Sequence, residues 1–351
     1  MCTAISLNAN GHLFGRNLDL HCSYGEEVII MPRSYPFELR KAAKINHPYA
    51  VIGMGTVVEN GYEDEGGFPL FYDGMNECGL AAAGLNFPYN AHYLPPSDGT
   101  DGGFEVAPFE LIPWVLCQCK TVSEAKELLL KTVITDIPFS KNMPNTPLHW
   151  MLSDSSGDIV IESMKDGIHI YDNPVGVLTN NPPFEHQLEN LKKYEYLRTE
   201  NPVVASDFKM RKKGVKDEVN GDGQEVRGYS SFSNGLGTVG LPGDLSSSGR
   251  FVRAAFGRRY SATNGSESQS VGQIFHLLSS VEAVRGLCKN ADGEEHYTLY
   301  SSCMSSESGI YYYTTYGNRQ ICCVNMHKSN LDEEKLYRFK LLDRENVLCQ
   351  G

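Results

Sequence analysis

The sequence predicts an α+β fold in which two packed β-sheets are covered by helices on the outside. Strand patterns open the chain, helical patterns fill two groups in its middle, and strand patterns return at its end. No internal repeat and no linker separates these groups, so a single domain is predicted. The 351 residues, 41% of them hydrophobic, are enough for a large core.

The first predicted element is a β-hairpin. Residues 3–9 and 12–20 both have strand patterns, and Asn10-Gly11 separates them. This dipeptide favours a type I′ turn, in which both central residues need positive φ. The sequence therefore predicts a two-residue hairpin loop.

The register of that hairpin predicts which side chains meet. With a two-residue loop, Cys2 is predicted to lie opposite Asp19, with both side chains on one face of the sheet. Arg16 is then predicted to oppose Ile5 and to point to the other face. A bulge or bend near Gly15 would be needed to bring Arg16 to Cys2.

The other elements follow from local patterns along the chain. Strands are predicted at 27–32, at 50–58, within 75–88 with a turn near Asn86, within 149–179 with turns at Ser156-Gly157 and Asp166-Gly167, and at 297–303, 309–315 and 320–326. Helices are predicted at 105–119 with a kink at Pro113, after a capping box at Thr121 and Glu124, and at 184–198, 246–260 and 271–285. Residues 209–228 are polar and turn-rich and are predicted to form an exposed loop.

The charge balance argues against two classes of partner. Asp and Glu outnumber Lys and Arg by 43 to 31, which gives a formal net charge of −12. Nucleic acids and anionic membranes both select for basic surfaces. No apolar run approaches the ~20 residues that span a bilayer, and residues 1–20 lack the basic and apolar regions of a signal peptide. We therefore expect a soluble cytoplasmic protein.

Ten cysteines occur in the chain, and Cys2 stands apart from the rest. None belongs to a C-x-x-C pair or to a cluster with zinc-ligand spacing, so most are predicted to be small buried hydrophobic residues. Removal of Met1 would leave Cys2 with both a thiol and a free α-amine. Such an amine has a reference pKa of ~7.7–8.0, against ~10.4 for lysine, so part of it is unprotonated at neutral pH. A nucleophile and its general base can then reside in one residue.

A G-x-G-x-x-G pattern at 235–240 is interpreted as a turn and not as a dinucleotide site. The dinucleotide fingerprint must open a helix directly after a strand. Here Pro242 and Gly243 follow at once, so no helix is expected to begin at this pattern.

Several motifs, taken in order, resemble those of the choloylglycine hydrolases, a family that includes bile salt hydrolases and penicillin V acylases. They are MCT at 1–3, GRNLD at 15–19, YDGMNE at 72–77, AGLNF at 83–87, PLHW at 147–150, GVLTNNP at 176–182, GLPGDL at 240–245, GRFVR at 249–253 and GIYYY at 309–313. The resemblance implies the four-layer αββα sandwich of the N-terminal nucleophile hydrolases, as one domain over residues 1–351 with Met1 removed. It implies no metal and no cofactor. The segments 59–67 and 209–228 look longer than is usual in the family.

The resemblance also implies the residues of the active site. Matching catalytic positions are Cys2 as nucleophile, Arg16 and Asp19 beside it, Asn86 and Asn180 in the oxyanion hole, and the site arginine Arg250. Matching pocket positions, expected to bind the steroid, are Leu18, Tyr24, Phe139, Met143 and Leu148, with Phe139 and Met143 as a candidate lid. Asn86 favours a bile salt hydrolase, because penicillin V acylases tend to carry tyrosine there.

The expected function is hydrolysis of the amide that joins a bile acid to glycine or taurine, through an acyl-thioester on Cys2. The alternative within this class is acylase activity on penicillin V or another N-acyl amide, and the resemblance also permits acyl transfer to other amines. If Met1 stays or the amine is blocked, the chain would instead be a steroid- or lipid-binding protein or a thiol redox sensor. The family resemblance alone implies a homotetramer.

Overall fold

Two antiparallel sheets lie face to face in a computed structural model that describes residues 1–41, 48–58, 67–97, 103–201 and 234–350. The predicted exposed loop at 209–228 lies outside the described residues, as does 59–66 of the longer segment.

The first sheet carries the amino-terminal hairpin. Its six strands run in the spatial order Val177–Leu178 (β12), Cys2–Ala9 (β1), Gly11–Leu20 (β2), Tyr297–Ser305 (β13), Ile310–Thr315 (β14) and Asn318–Asn325 (β15). The strands β1 and β2 are central and are buried on both faces along most of their length.

The second sheet has eight strands. Their order is Gly167–Asp172 (β11), Gly157–Met164 (β10), Leu148–Asp154 (β9), Ala81–Asn86 (β6), Phe68–Asn76 (β5), Val51–Val58 (β4), Glu27–Met31 (β3) and Tyr337–Lys340 (β16). A short parallel pair, Phe104–Val106 (β7) and Thr132–Ile134 (β8), lies outside both sheets.

Helices cover the outer faces of the two sheets. On the second sheet, Leu111–Leu116 (α1) packs against β5 and β6, and Val122–Leu129 (α2) packs against β9 and β10. On the first sheet, Ser247–Tyr260 (α4) and Glu267–Ser279 (α5) pack against β1, and Phe184–Lys192 (α3) packs against α4. The predicted four-layer αββα sandwich is therefore confirmed.

Hydrophobic side chains fill the spaces between these layers. One buried cluster joins the facing sides of the two sheets and continues beneath α4 and α5. A second cluster lies between the second sheet and α1 and α2. None of the described helices is long and apolar enough to cross a membrane.

Local signals predicted several element boundaries and missed others. Half of the predicted capping box at Thr121 and Glu124 is confirmed, because Thr121 Oγ1 accepts a hydrogen bond from the Glu124 amide at 3.2 Å. The Glu124 carboxylate instead accepts from the Lys120 amide, at 2.7 Å. The predicted helix at 105–119 is wrong at both ends. Residues 104–106 pair as a strand, a 3₁₀ turn at Pro108–Glu110 leads into the α-helix, and the helix ends at Leu116. The turn predicted at 235–240 is confirmed and takes the form of a single 3₁₀ turn, Leu236–Thr238.

Candidate active site

The hairpin β1–β2 has a different register from the predicted one. Ala9 pairs with Gly11, which leaves Asn10 alone at the tip, and Cys2 pairs with Leu18. The predicted pairing of Cys2 with Asp19 is therefore wrong by one residue. Alternation of apolar and polar residues fixes register only where one face is exposed, and both faces of this hairpin are buried.

That one-residue difference decides which side chains reach the Cys2 thiol. Arg16 reaches Tyr72 in the second sheet, whereas the neighbouring Asn17 donates to the Leu278 carbonyl of α5. Because side chains alternate along a strand, Cys2 and Arg16 face the second sheet and Asp19 faces the helices. No bulge near Gly15 is needed, since the β1–β2 pairing is continuous.

The Cys2 thiol lies against a buried cation. The Nη2 group of Arg16 donates a hydrogen bond to Cys2 Sγ at 3.0 Å, and Nη1 donates to the Tyr72 carbonyl at 2.9 Å. Cys2 is 3% exposed and Arg16 is fully buried. The Arg16 guanidinium therefore holds a fixed positive charge within hydrogen-bond distance of Sγ.

Asp73 and two tyrosines support Arg16 from the opposite side. The Asp73 carboxylate lies 3.8 Å from Arg16 Nε and accepts hydrogen bonds from Tyr300 at 2.6 Å and from Tyr311 at 2.5 Å. Burial disfavours the charged guanidinium, but Tyr300, Cys2 and Asp73 outweigh it and raise the pKa of Arg16 above its ordinary value. Arg16 is therefore charged at neutral pH.

A second arginine holds the main chain of Cys2. The Arg250 guanidinium donates to the Cys2 carbonyl, to Thr3 Oγ1 at 2.6 Å and to Asn180 Oδ1 at 2.8 Å. Arg250 is 1% exposed, and burial lowers its pKa. These contacts fix the backbone of Cys2, while Arg16 contacts the thiol.

Asn180 links the Cys2 main chain to the end of β6. Its Oδ1 accepts a hydrogen bond from the Cys2 amide nitrogen at 2.8 Å, and its Nδ2 donates to the Asn86 carbonyl at 2.7 Å. A side-chain amide nitrogen carries two hydrogens, so one N–H of Asn180 remains for another acceptor. The structure therefore brings Asn86 and Asn180 together beside Cys2.

Asp19 flanks the amino terminus through its main chain. Its carbonyl accepts a hydrogen bond from the Met1 ammonium at 2.7 Å, and its amide donates to the Met1 carbonyl at 2.9 Å. The buried carboxylate accepts from Thr298 Oγ1 at 2.6 Å, and its Oδ2 has no hydrogen-bond partner among the described residues. Removal of Met1 would free both main-chain groups of Asp19.

The five predicted pocket residues fall in different surroundings. Leu18 lies directly opposite Cys2, and Leu148 lies opposite Asn86. Tyr24 and Met143 are exposed. Phe139 is instead buried and packs edge-on against two other phenylalanine rings, Phe68 and Phe109.

Potential metal ligands gather near the main chain of Asp19. Among the described residues, one group of three has ligand atoms within 4.8 Å of one another, and it consists of His21, Glu294 and His296. Cys2 is not part of this group.

The role of Asp73 is not predicted from the sequence. Asp73 lies inside the motif at 72–77, but only the packing of the two sheets against each other places it beside Arg16. The signal available in the sequence was a single acidic residue in an otherwise apolar stretch, FYDGM at 71–75.

Comparison with known proteins gives consistent results over nearly the whole chain. Residues 2–339 match the family model of linear amide C–N hydrolases, choloylglycine hydrolase family. The bile salt hydrolase/transferase of Lactiplantibacillus plantarum is 45% identical over 342 residues, which is 97% of each chain.

Solved structures agree with this match. A variant of the conjugated bile acid hydrolase from Clostridium perfringens superposes with a TM-score of 0.83 at 36% identity, covering 99% of both chains. Penicillin V acylase from Agrobacterium tumefaciens gives a TM-score of 0.71 at 20% identity, covering 97% of this chain and 91% of that one, which shows a shared fold.

Proposed function

The chain belongs to the choloylglycine hydrolase family of linear amide C–N hydrolases, and we propose that it cleaves the amide bond of bile acids conjugated to glycine or taurine. The observation that carries this proposal is the 3.0 Å hydrogen bond from Arg16 to Cys2 Sγ, in a chain 45% identical to a bile salt hydrolase/transferase. The bond supplies the activated nucleophile that amide hydrolysis requires.

The first step is removal of Met1. The nitrogen that now donates to Asn180 Oδ1 at 2.8 Å then becomes the α-amine of Cys2. Asn180 holds this amine and Arg250 holds the adjacent carbonyl, so the amine keeps its orientation. The carbonyl and amide groups of Asp19, released from Met1, become available to the amine or to water.

The thiolate of Cys2 then attacks the amide carbonyl of the substrate. The oxyanion that forms accepts hydrogen bonds from the free N–H of Asn180 and from a backbone N–H near Asn86. The α-amine carries the proton from the thiol to the departing nitrogen of glycine or taurine, and the C–N bond breaks. Water, deprotonated by the same amine, attacks the acyl-thioester and releases the bile acid.

The anionic substrate meets local positive charge despite the acidic chain. Exposed charges separated by more than ~8 Å are largely screened at physiological salt, so the groups near Cys2 determine the electrostatic potential that the substrate meets. Arg16 and Arg250 supply that charge at Cys2. Leu18 and Leu148 offer apolar surface beside Cys2 and Asn86, and we assign the exposed Tyr24 and Met143 to the outer part of the steroid site. Phe139 is proposed for the same site on the family resemblance alone, because it packs with Phe68 and Phe109 in the cluster between the second sheet and its helices.

Penicillin V acylase activity is the second candidate. The presence of asparagine at position 86 favours bile salts, since tyrosine is usual at that position in penicillin V acylases. Transfer of the bile acyl group to other amines is compatible with the same thioester, because an amine competes with water for it.

We also expect a homotetramer, which light scattering after gel filtration measures directly.

The test is amine release from glycocholate, taurocholate and penicillin V, measured side by side with the wild type, Cys2→Ala and Cys117→Ala. Cys117 is a buried thiol at the carboxyl end of α1, which covers the second sheet, and it serves as a matched control. We expect release from the conjugates by the wild type and by Cys117→Ala, and none by Cys2→Ala. Release from penicillin V alone would show that the protein is a penicillin V acylase. No release from any substrate after Met1 removal would favour a steroid- or lipid-binding protein.

A further inference from the structure

A buried histidine and glutamate lie behind the two asparagines and take no part in the mechanism above. His149 in β9 and Glu162 in β10 are both fully buried, and Nδ1 of the histidine lies 3.1 Å from Oε1 of the glutamate. Ionisable side chains are rarely buried without a partner, so this pair has a specific structural reason.

The imidazole contacts both chain segments that carry the asparagines. Its Nε2 donates a hydrogen bond to the Thr179 carbonyl at 2.8 Å, and Thr179 directly precedes Asn180. Its ring stacks on the Phe87 ring at 4.2 Å between centroids and 5° between planes, and Phe87 directly follows Asn86. One side chain therefore touches the neighbours of both asparagines.

The hydrogen bonds determine where the protons lie. A carbonyl only accepts, so Nε2 carries a hydrogen. Oε1 of Glu162 also accepts from the Phe184 amide at 3.0 Å, which requires a lone pair on that oxygen. With Nε2 protonated, Nδ1 and Oε1 attract each other only if a second proton lies between them, so the pair is neutral as a whole.

Thr179 and Asn180 are held from the other side by α4. Ser247 Oγ donates to Thr179 Oγ1 at 2.9 Å, and the Asn180 amide donates to the same Ser247 Oγ at 2.8 Å. His149 supplies the opposing contact. Loss of the imidazole would remove the contact that fixes the Thr179 carbonyl relative to β9.

We propose that His149, oriented by Glu162, is a positioning residue that fixes Asn86 and Asn180 at the spacing the oxyanion hole needs. The spacing it maintains is the 2.7 Å contact between Asn180 Nδ2 and the Asn86 carbonyl. This inference rests on the proposed amide hydrolysis. Because an oxyanion forms only in the transition state, loss of position lowers kcat and leaves KM for the steroid nearly unchanged.

The test compares His149→Phe, His149→Gln and Glu162→Gln, with His12→Phe as the matched control. Phenylalanine keeps the stacking on Phe87 and removes both hydrogen bonds, whereas glutamine keeps a donor for the Thr179 carbonyl. His12 is also a buried histidine with two polar partners, Asn8 and Ser153, but it lies at the tip end of the hairpin, away from Cys2.

We expect His149→Phe to lower kcat on glycocholate by about tenfold or more, with KM within about threefold, since small displacements of catalytic groups have effects of this size. His149→Gln and Glu162→Gln should each lower kcat less than His149→Phe does. His12→Phe should lower the melting temperature about as much as His149→Phe does and leave kcat unchanged.

Two results would overturn the inference while leaving the hydrolase intact. One is a wild-type kcat in folded His149→Phe or, if that variant does not fold, in His149→Gln together with Glu162→Gln. The other is an equal loss of kcat in His12→Phe. Failure of the proposed function looks different, because the wild type itself would then release no amine.

Discussion

Arg16 and Cys2 lie two rungs apart on one face of the first sheet, joined by a 3.0 Å hydrogen bond from the guanidinium to Sγ. The strand register creates this contact, because a shift of one residue would turn Arg16 toward the helices. The pair places a permanent charge beside a nucleophile in a buried site, where electrostatic interactions are strong.

Replacing Arg16 with methionine should remove the charge and retain the approximate volume. We expect turnover of glycocholate to fall by about a hundredfold or more, as for loss of other electrostatic groups in active sites. Alkylation of Cys2 by iodoacetamide at neutral pH, followed by peptide mass analysis, should also slow. Arg258→Met is the control, because Arg258 contacts Ser6 near the other end of β1. Unchanged alkylation in Arg16→Met would rule out thiolate stabilisation by this residue.

Asn180 performs two tasks that different substitutions separate. Asn180→Asp keeps an oxygen for the Cys2 nitrogen but loses the N–H, and Asn180→Ala loses both. Loss of an oxyanion donor costs ~2.7–4 kcal/mol, so both variants should lower kcat by about a hundredfold or more. Steady-state kinetics on glycocholate measures this. Near-normal turnover in Asn180→Asp would show that only the amine contact matters.

Arg250 should not be replaceable by lysine. Its guanidinium reaches the Cys2 carbonyl, Thr3 Oγ1 and Asn180 Oδ1 together, and a single ammonium group cannot reproduce this fork. Each buried acceptor left unsatisfied costs ~1–3 kcal/mol, so Arg250→Lys should unfold at lower urea and lose activity. Arg253→Lys, on the same helix, should change neither. Equal stability of Arg250→Lys and wild type would contradict the assigned contacts.

His12 makes stability depend on pH. Burial is the main cause that lowers its pKa from 6.5 to about 4, with Asp154 opposing and Arg258 adding to the shift. The unfolded chain therefore binds the extra proton first, and stability is lost as pH falls from 6.5 toward 4, by on the order of 3 kcal/mol in total. Urea unfolding at pH 7 and pH 4.5 should show a smaller loss in His12→Gln than in wild type. An identical loss in both would exclude His12 as the source.

Signals confined to a few neighbouring residues predicted their structures well. The turns predicted at Ser156-Gly157 and at 235–240 depend on local backbone chemistry and form as predicted, as does the Thr121 half of the capping box. The helix predicted at 271–285 begins earlier, at Glu267, because Ser266 and Gln269 form a capping box there. The local signal for its start is therefore this capping box, and the apolar periodicity that begins at 271 predicts a start four residues too late.

Features that depend on distant residues could not be predicted in this way. The hairpin register is undetermined by alternation because both faces are buried, so Cys2 was expected opposite Asp19. The strand at 337–340 exists because it pairs with β3, about three hundred residues earlier along the chain. Within the site, the position of Cys2 in the chain indicated the nucleophile. The contact of Asp73 with Arg16 crosses from one sheet to the other, and no local pattern encodes it.

In the proposed mechanism, the α-amine of Cys2 becomes part of the catalytic machinery only after Met1 leaves. The most direct measurement uses protein purified with Met1 retained and assays glycine release from glycocholate before and after treatment with methionine aminopeptidase, with intact mass recorded at each point. We expect glycine release to rise in proportion to the fraction of chains that have lost Met1, with no such rise in Cys2→Ala. Full activity while Met1 is still present would contradict it.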